Sequence, residues 1–154
     1  MLKPGTTAPQ FTSTLDDGSP FDLASYRGKK HVVLYFYPKD FTAGCTAQAC
    51  SFRDNYSLIE KYDAIVVGIS GDGEASHARF KERHELPFPL AADPGREVHR
   101  LYEAVGLIPW ITPRITYVID KDGVIRSVIR HDFRVNEHVP EVIAALKDLE
   151  PTTA

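Results

Sequence analysis

The sequence has 154 residues, of which 43% are hydrophobic and 25% are charged, and its formal net charge is −3. This composition is typical of a globular protein and predicts a single domain spanning residues 1–154. Lysine and arginine are spread along the chain, and no apolar run is long enough to cross a membrane, so we expect neither nucleic acid nor a membrane as a partner. The N-terminal residues lack the apolar run of a secretory signal, which predicts a cytoplasmic location.

The first half of the chain predicts a small hairpin followed by a strand–helix–strand unit. Residues 16–18, Asp-Asp-Gly, are a turn signal inside the hairpin, which we expect at an edge of the sheet. Two short apolar runs, 31–37 and 64–70, are typical of strands buried on both faces. Between them, residues 45–62 place apolar side chains at helical spacing, which predicts one helix.

The second half continues the alternation of helices and strands. Three segments follow the strand–helix–strand unit: a helix over 74–86, a short extended segment over 89–93 and a helix over 96–105. Strands over 115–120 and 124–130 flank a Lys-Asp-Gly turn, which is a hairpin signal. The last helix, over 138–150, is expected to have Asn136 as its N-cap and an apolar stripe formed by Val139, Ile143 and Leu146.

This order of elements indicates an α/β fold. Because strands alternate with helices in the first part and form a hairpin in the second, the central sheet should contain both parallel and antiparallel strands. We therefore predict a thioredoxin-like three-layer α/β/α sandwich with a mixed central sheet and an added N-terminal β-hairpin.

Cys45 and Cys50 are the only cysteines of the chain, and they are five positions apart. In the cytoplasm thiols are kept reduced, so the pair indicates metal binding, redox chemistry or incidental core residues rather than a structural disulfide. The chain has no C-x-x-C motif and no pair of histidines at zinc-ligand spacing, which argues against a metal site. His77 and His84 can share one face of their predicted helix, but we expect solvated side chains there.

Cys45 is predicted to lie in the first turn of a helix, after a turn that contains Pro38 and with Thr42 as the N-cap. The unpaired N–H groups of a helix start favour a thiolate, which is the reactive form of cysteine. Making a thiol mostly ionised at neutral pH requires on the order of 3 kcal/mol, whereas a helix end supplies about 0.3–1 kcal/mol. A cation should therefore assist. Arg114 reaches Cys45 if its strand is antiparallel and starts where the helix starts.

Cys50 cannot bond to Cys45 while the helix is intact. Positions i and i+5 of an α-helix are roughly 8.7 Å apart between Cα atoms, beyond the limit of about 7 Å for a disulfide. A disulfide between them therefore requires the first turns to unwind. A buried, unreactive thiol is an equally good interpretation of Cys50 from its local sequence alone.

The spacing Pro38-x3-Thr42-x2-Cys45 resembles the P-x-x-x-T-x-x-C active-site motif of peroxiredoxins. Residues 45–54, CTAQACSFRD, are similar to the peroxiredoxin Q branch, also called bacterioferritin comigratory proteins. The resemblance continues through VVGISGD, LPFPLAAD and PRITYVIDKDG and covers the chain from about residue 5 to residue 149. Ala43 stands where the family more often has proline, which should loosen the loop before Cys45.

The resemblance implies a thiol-dependent peroxidase without cofactor or metal. Cys45 would be the peroxidatic cysteine that attacks a hydroperoxide, and Cys50 would resolve the resulting sulfenic acid as an intramolecular disulfide. Thioredoxin or a similar dithiol reductant would then reduce that disulfide, and the protein would be a monomer, as relatives of this branch often are. The other positions implied at the site are the catalytic residues Thr42, Arg114 and Pro38, and the substrate-pocket candidates Gln48, Phe41 and Trp110.

Two other functions are compatible with a redox-active pair on this fold. The first is a thiol–disulfide oxidoreductase that acts on proteins, although the missing C-x-x-C motif argues against it. The second is a redox-sensing binding module, in which oxidation of the pair changes the shape of the chain and recruits a partner.

Overall fold

A computed structural model describes residues 1–106 and 112–150. The strands are β1 (Thr12–Leu15), β2 (Pro20–Asp22), β3 (His31–Phe36), β4 (Ala64–Ser70), β5 (Leu90–Ala92), β6 (Ile115–Ile119) and β7 (Ile125–Arg130). The α-helices are α1 (Ala43–Asp54), α2 (Tyr56–Lys61), α3 (Glu74–His84), α4 (Glu97–Leu101) and α5 (His138–Asp148). Two short 3-10 helices lie at Leu23–Tyr26 and Val135–Glu137.

The seven strands form one sheet in the order β2-β1-β5-β4-β3-β6-β7. β3, β4 and β5 are mutually parallel neighbours, whereas β6 is antiparallel to β3 and β7 is antiparallel to β6. The hairpin of β1 and β2 extends the sheet beyond β5, to which β1 is antiparallel. The predicted mixed sheet and the N-terminal hairpin at its edge are thus confirmed.

The side chains of β3 alternate between the two faces of the sheet, as expected for a strand with a side-chain period of two. Val33 and Tyr35, together with Tyr37 directly after the strand, join the core that α1, α2, α3 and α5 cover. Leu34 and Phe36 join the core on the opposite face, under α4 and the N-terminal segment. The helices on both faces make the three layers that the sequence predicts.

Two of the predicted helices differ substantially from the structure, while α3 and α5 each end two residues earlier than predicted. The helix predicted over 45–62 breaks at Asn55, whose side-chain amide donates to Ser51 O at 2.8 Å in place of continuing the regular helix. The helix predicted over 96–105 is reduced to Glu97–Leu101, because Arg96 and Glu103 both have left-handed backbones (φ 57° and 52°).

α5 begins at His138 as predicted, but its predicted N-cap was wrong. Asn136 lies inside the 3-10 helix that runs directly into α5, so it is not an N-cap. The backbone at this point is already helical and leaves no extended residue to act as a cap. The predicted apolar stripe is present, with Val139 and Leu146 buried and Ile143 packed against the same core.

Candidate active site

Cys45 lies in the first turn of α1, beside the end of β3 where the loop of residues 37–42 leads into the helix. Thr42 occupies the N-cap position in an extended conformation (φ −81°, ψ 152°). The first backbone bond of the helix runs from Thr46 N–H to Thr42 O, at 2.9 Å. The N–H groups of the first turn, including that of Cys45, therefore have no acceptor within the helix and can bind an incoming anion or polar oxygen.

Arg114 is in direct contact with Cys45. The antiparallel pairing of Phe36 with Ile115 places Arg114, the residue before β6, at the end of the sheet where α1 begins. Its Nη1 lies 3.2 Å from Cys45 Sγ, and both side chains are buried, with 8% and 1% of their surface exposed. A buried guanidinium in contact with the sulfur stabilises negative charge on it. The structure thus supplies the cation that the helix start alone does not.

Gln48 lies one turn further along α1 and holds the same guanidinium. Its Oε1 accepts from Arg114 Nη1 at 3.0 Å, so Nη1 is shared between Gln48 and Cys45. The Nε2 of Gln48 is buried without a hydrogen-bond partner. The backbone N–H of Arg114 donates to Asp132 Oδ1 at 2.9 Å. Hydrogen bonds therefore hold both the backbone and the guanidinium of Arg114 in place.

Gly44 allows the guanidinium to lie against the backbone of α1. A Cβ at this position would lie 2.6 Å from Arg114 Nη2, closer than real Cβ atoms approach a neighbour. Glycine next to Cys45 therefore has a steric reason that the sequence motif alone does not show.

Replacing Gly44 with alanine is expected to push the guanidinium away from Cys45. We expect Gly44→Ala to slow sulfenate formation by about tenfold or more, since displacement of a catalytic group by about 1 Å is costly. Stopped-flow kinetics with hydrogen peroxide measures this rate. Gly95→Ala is the matched control, because an added Cβ there meets only the Glu97 side chain at an ordinary 3.8 Å. An unchanged rate in Gly44→Ala would show that the close approach is not needed.

The remaining positions named by the motif lie around the start of α1. The Thr42 hydroxyl donates to Lys39 O at 2.9 Å instead of capping the helix. Pro38 is half-buried immediately after the core residue Tyr37. Phe41 is 50% exposed, and its ring packs edge-on against the ring of Phe80, with 5.2 Å between the ring centroids.

The pocket candidate Trp110 lies outside the described residues.

Cys50 lies in the same continuous helix as Cys45, and both are free thiols. Cys50 is half-buried, whereas Cys45 is almost fully covered. Because α1 is intact between them, the i, i+5 geometry keeps the two sulfur atoms apart.

The prediction that His77 is solvated was wrong. His77 is fully buried, and its Nδ1 lies 2.7 Å from Asp40 Oδ2. Asp40 is in the loop before α1, 37 positions earlier in the chain, so no local pattern links the two residues. Sequence reasoning also missed Asp40 itself, although its position between Pro38 and Thr42 in the motif is a signal that could have drawn notice.

Comparison with known proteins places this geometry in a family. Residues 4–128 match the AhpC/TSA family. The chain is 42% identical over 150 residues to the chloroplastic peroxiredoxin Q of Sedum lineare, a match that covers 95% of this chain and 78% of the relative. It is 44% identical over 144 residues to the chloroplastic peroxiredoxin Q of Arabidopsis thaliana, covering 93% of this chain and 66% of the relative.

Solved structures give the same result. Peroxidoxin BcpB from Mycobacterium tuberculosis superimposes with a TM-score of 0.91 at 32% identity, covering 98% of this chain and 100% of that one. Peroxiredoxin Q from Xanthomonas campestris superimposes with a TM-score of 0.83 at 28% identity, covering 90% of each chain. The chain therefore belongs to the AhpC/TSA family, within its peroxiredoxin Q branch.

Proposed function

We propose that Cys45 is the peroxidatic cysteine of this thiol-dependent peroxidase. In this proposal Arg114 and Thr42 bind the peroxide, and Pro38 shields the Cys45 sulfenate from water and overoxidation. The observation that carries the assignment is the 3.2 Å contact between Arg114 Nη1 and Cys45 Sγ at the N-terminus of α1. A buried guanidinium beside a thiol at a helix start favours the thiolate that reacts with peroxides.

The first step is nucleophilic attack by this thiolate. The sulfur of Cys45 attacks one oxygen of the hydroperoxide, the O–O bond breaks, and the other oxygen leaves with the bonding electrons and takes up a proton as water or an alcohol. Cys45 is left as a sulfenic acid. Negative charge moves from sulfur onto the leaving oxygen, and Arg114 stabilises both positions because its guanidinium carries several donors.

Thr42 is placed to orient the peroxide. Its hydroxyl hydrogen is used by Lys39 O, so its oxygen is left to accept a hydrogen bond from the peroxide O–H. The N–H of Cys45 is a further donor for a peroxide oxygen. Phe41, half-exposed at the same loop, offers apolar surface to an organic hydroperoxide. A structure of the Xanthomonas campestris bacterioferritin comigratory protein is described in terms of alkyl peroxide reduction, which supports organic hydroperoxides as substrates here.

The second step joins Cys45 to Cys50. The Cys50 thiol attacks the sulfur of the sulfenic acid, a disulfide forms and water leaves. Because both residues lie in the intact helix α1, its first turns must unwind before the sulfurs can meet. Unwinding also exposes the disulfide to a dithiol reductant of the thioredoxin type, which returns both cysteines to thiols.

Replacing Cys50 with serine separates the two steps. We expect Cys50→Ser to form the Cys45 sulfenic acid at close to the wild-type rate, because Cys50 takes no part in the attack. Multiple turnovers with a protein dithiol as donor should fall by about a hundredfold or more, since no intramolecular disulfide can form. Single-turnover and steady-state assays of peroxide consumption measure the two quantities. Full steady-state activity in Cys50→Ser would contradict the role of Cys50.

Peroxide reduction and protein disulfide exchange can be compared on the same reduced sample. Cys45 is only 1% exposed, so a peroxide fits its surroundings far better than the disulfide of a folded protein does. We therefore expect rapid consumption of hydrogen peroxide and slow reduction of insulin disulfides. The opposite order of rates would favour the oxidoreductase over the peroxidase.

The thioredoxin-type donor and the peroxide are the partners proposed here. In residues 1–106 and 112–150 no helix is long and apolar enough to cross a membrane. The monomeric state and the cytoplasmic location remain predictions, which size-exclusion chromatography with light scattering and cell fractionation test.

A further inference from the structure

A buried polar network connects the loop before α1 to α3. Asp40, 3% exposed, accepts from the Tyr37 hydroxyl at 2.5 Å through Oδ1 and from the Ser76 hydroxyl at 2.8 Å through Oδ2. Its backbone N–H donates to Asp72 Oδ2 at 2.8 Å. The peroxidase chemistry described above uses none of these contacts, although Asp40 is only two residues from Thr42.

The pair formed by Asp40 and His77 holds a proton between two buried side chains. His77 Nε2 lies 3.1 Å from Ala91 O, and Nδ1 lies 2.7 Å from Asp40 Oδ2. Carbonyl and carboxylate oxygens only accept hydrogen bonds. The imidazole must therefore donate at both nitrogens, or Asp40 must carry the proton itself. In both cases the contact is a strong hydrogen bond between α3 and the loop.

Phe41, the residue between Asp40 and Thr42, has a left-handed backbone with φ of 66°. This conformation is disfavoured for a residue with a bulky side chain and persists only where its surroundings hold it. Asp40, the residue before Phe41, is held in place by the hydrogen bond of its backbone N–H to Asp72 and by the contact of its carboxylate with His77. The ring of Phe41 packs against Phe80 of α3, the same helix that carries His77. α3 is thus the support that keeps Phe41 in this conformation.

We infer that Asp40 and His77 are positioning residues, which hold the loop between β3 and α1 so that the first turn of α1 stays folded around Cys45. The inference rests on the roles proposed for Cys45 and Cys50. Attack on the peroxide needs this turn folded, whereas disulfide formation needs it unwound. Without the contact between Asp40 and His77, Phe41 is no longer held in its left-handed conformation, and the unwound form of the first turn is favoured. Sulfenate formation then becomes slower, whereas disulfide formation becomes faster.

Asp40→Ala tests this inference through two separate rates. Stopped-flow kinetics resolves sulfenate formation, which depends on peroxide concentration, from disulfide formation, which does not. We expect disulfide formation to become faster by about tenfold, the factor that corresponds to one charge-assisted hydrogen bond. Sulfenate formation should become several-fold slower. Unchanged rates, or two rates that change in the same direction, would overturn the inference.

A second buried pair provides a matched control on the opposite face of the sheet. His99 Nδ1 lies 2.5 Å from Asp93 Oδ2, and the His99 ring packs against Phe36. Asp93→Ala removes the same kind of contact, so it should lower stability in urea as Asp40→Ala does while leaving both rates close to wild type. If Asp93→Ala shifts the rates as Asp40→Ala does, general destabilisation explains the effect and the inference fails.

Ser76→Ala covers the case in which Asp40→Ala does not fold. It removes one hydrogen bond to Asp40 Oδ2 and should shift both rates in the same two directions by a smaller factor. Unchanged rates in this variant would count against the inference. Failure of the proposed function is distinguishable, because the wild-type protein would then show no peroxide-dependent phase or would form no disulfide.

Discussion

Replacing Cys45 with serine is expected to reduce peroxide consumption by at least about a thousandfold, because a serine hydroxyl is not ionised at neutral pH and cannot attack the O–O bond as a thiolate does. The substitution is nearly isosteric at a buried position, so the free energy of unfolding should change by no more than about 1–2 kcal/mol. Peroxide consumption with a dithiol donor and urea denaturation measure the two effects.

Cys50→Ser is the natural control for this variant, since it changes the other cysteine of the same helix. Only Cys50→Ser should retain a rapid first turnover. If Cys45→Ser consumed peroxide at a near wild-type rate, the reactive centre would have to lie elsewhere, with Cys50 as the first candidate.

Replacing Arg114 with alanine has the second largest expected effect. It removes the guanidinium that contacts Cys45 Sγ, and it leaves Gln48 Oε1 without its donor. Loss of one preorganised donor from a buried site costs about a hundredfold to a thousandfold in rate. We therefore expect sulfenate formation to slow by about a hundredfold.

Stopped-flow kinetics of the sulfenate-forming phase with hydrogen peroxide measures this effect. Arg126→Ala is a suitable control, because Arg126 is a surface arginine paired with Asp120 at the far end of the β6–β7 hairpin. It should leave the rate of sulfenate formation unchanged. A wild-type rate of sulfenate formation in Arg114→Ala would remove Arg114 from the reaction.

The strands were the most predictable part of the fold. β3 and β4 are buried on both faces, so their sequences are nearly continuous apolar runs. Helix ends were less predictable because tertiary contacts decide them. The pattern of residues 96–105 predicts a ten-residue helix, but the left-handed residues Arg96 and Glu103 confine α4 to the segment between them. Nothing in their local sequence indicates that conformation.

The site divides in the same way into local and distant contributions. The placement of Thr42 at the N-cap of α1, and of Cys45 and Cys50 within α1, follows from residues that are neighbours in the chain. The contact of Arg114 with Cys45 joins positions 69 residues apart and depends on β6 lying antiparallel beside β3. From the sequence alone we could infer that Arg114 reaches Cys45 if the two strands are antiparallel, but not that they are antiparallel.

The contacts that Asp40 makes with other segments were not predictable from the sequence. The members of this network come from the loop before α1, from α3 and from the carbonyl of Ala91 in β5. They meet because the neighbouring strands β3, β4 and β5 are parallel, which brings the segments at their carboxyl ends close together. A histidine on a polar helix such as α3 has no local signal that distinguishes burial from exposure, which explains the wrong prediction for His77.

The central claim is that Cys45 is oxidised first and that α1 then unwinds to join it to Cys50. The most direct test mixes the reduced protein with one equivalent of hydrogen peroxide in a stopped-flow instrument, follows Trp fluorescence, and then determines the intact mass and the linked peptides. The account predicts a rapid signal, a loss of two hydrogen atoms and a disulfide between Cys45 and Cys50. An unchanged mass after minutes, or oxygen added to the chain without a disulfide, would contradict it.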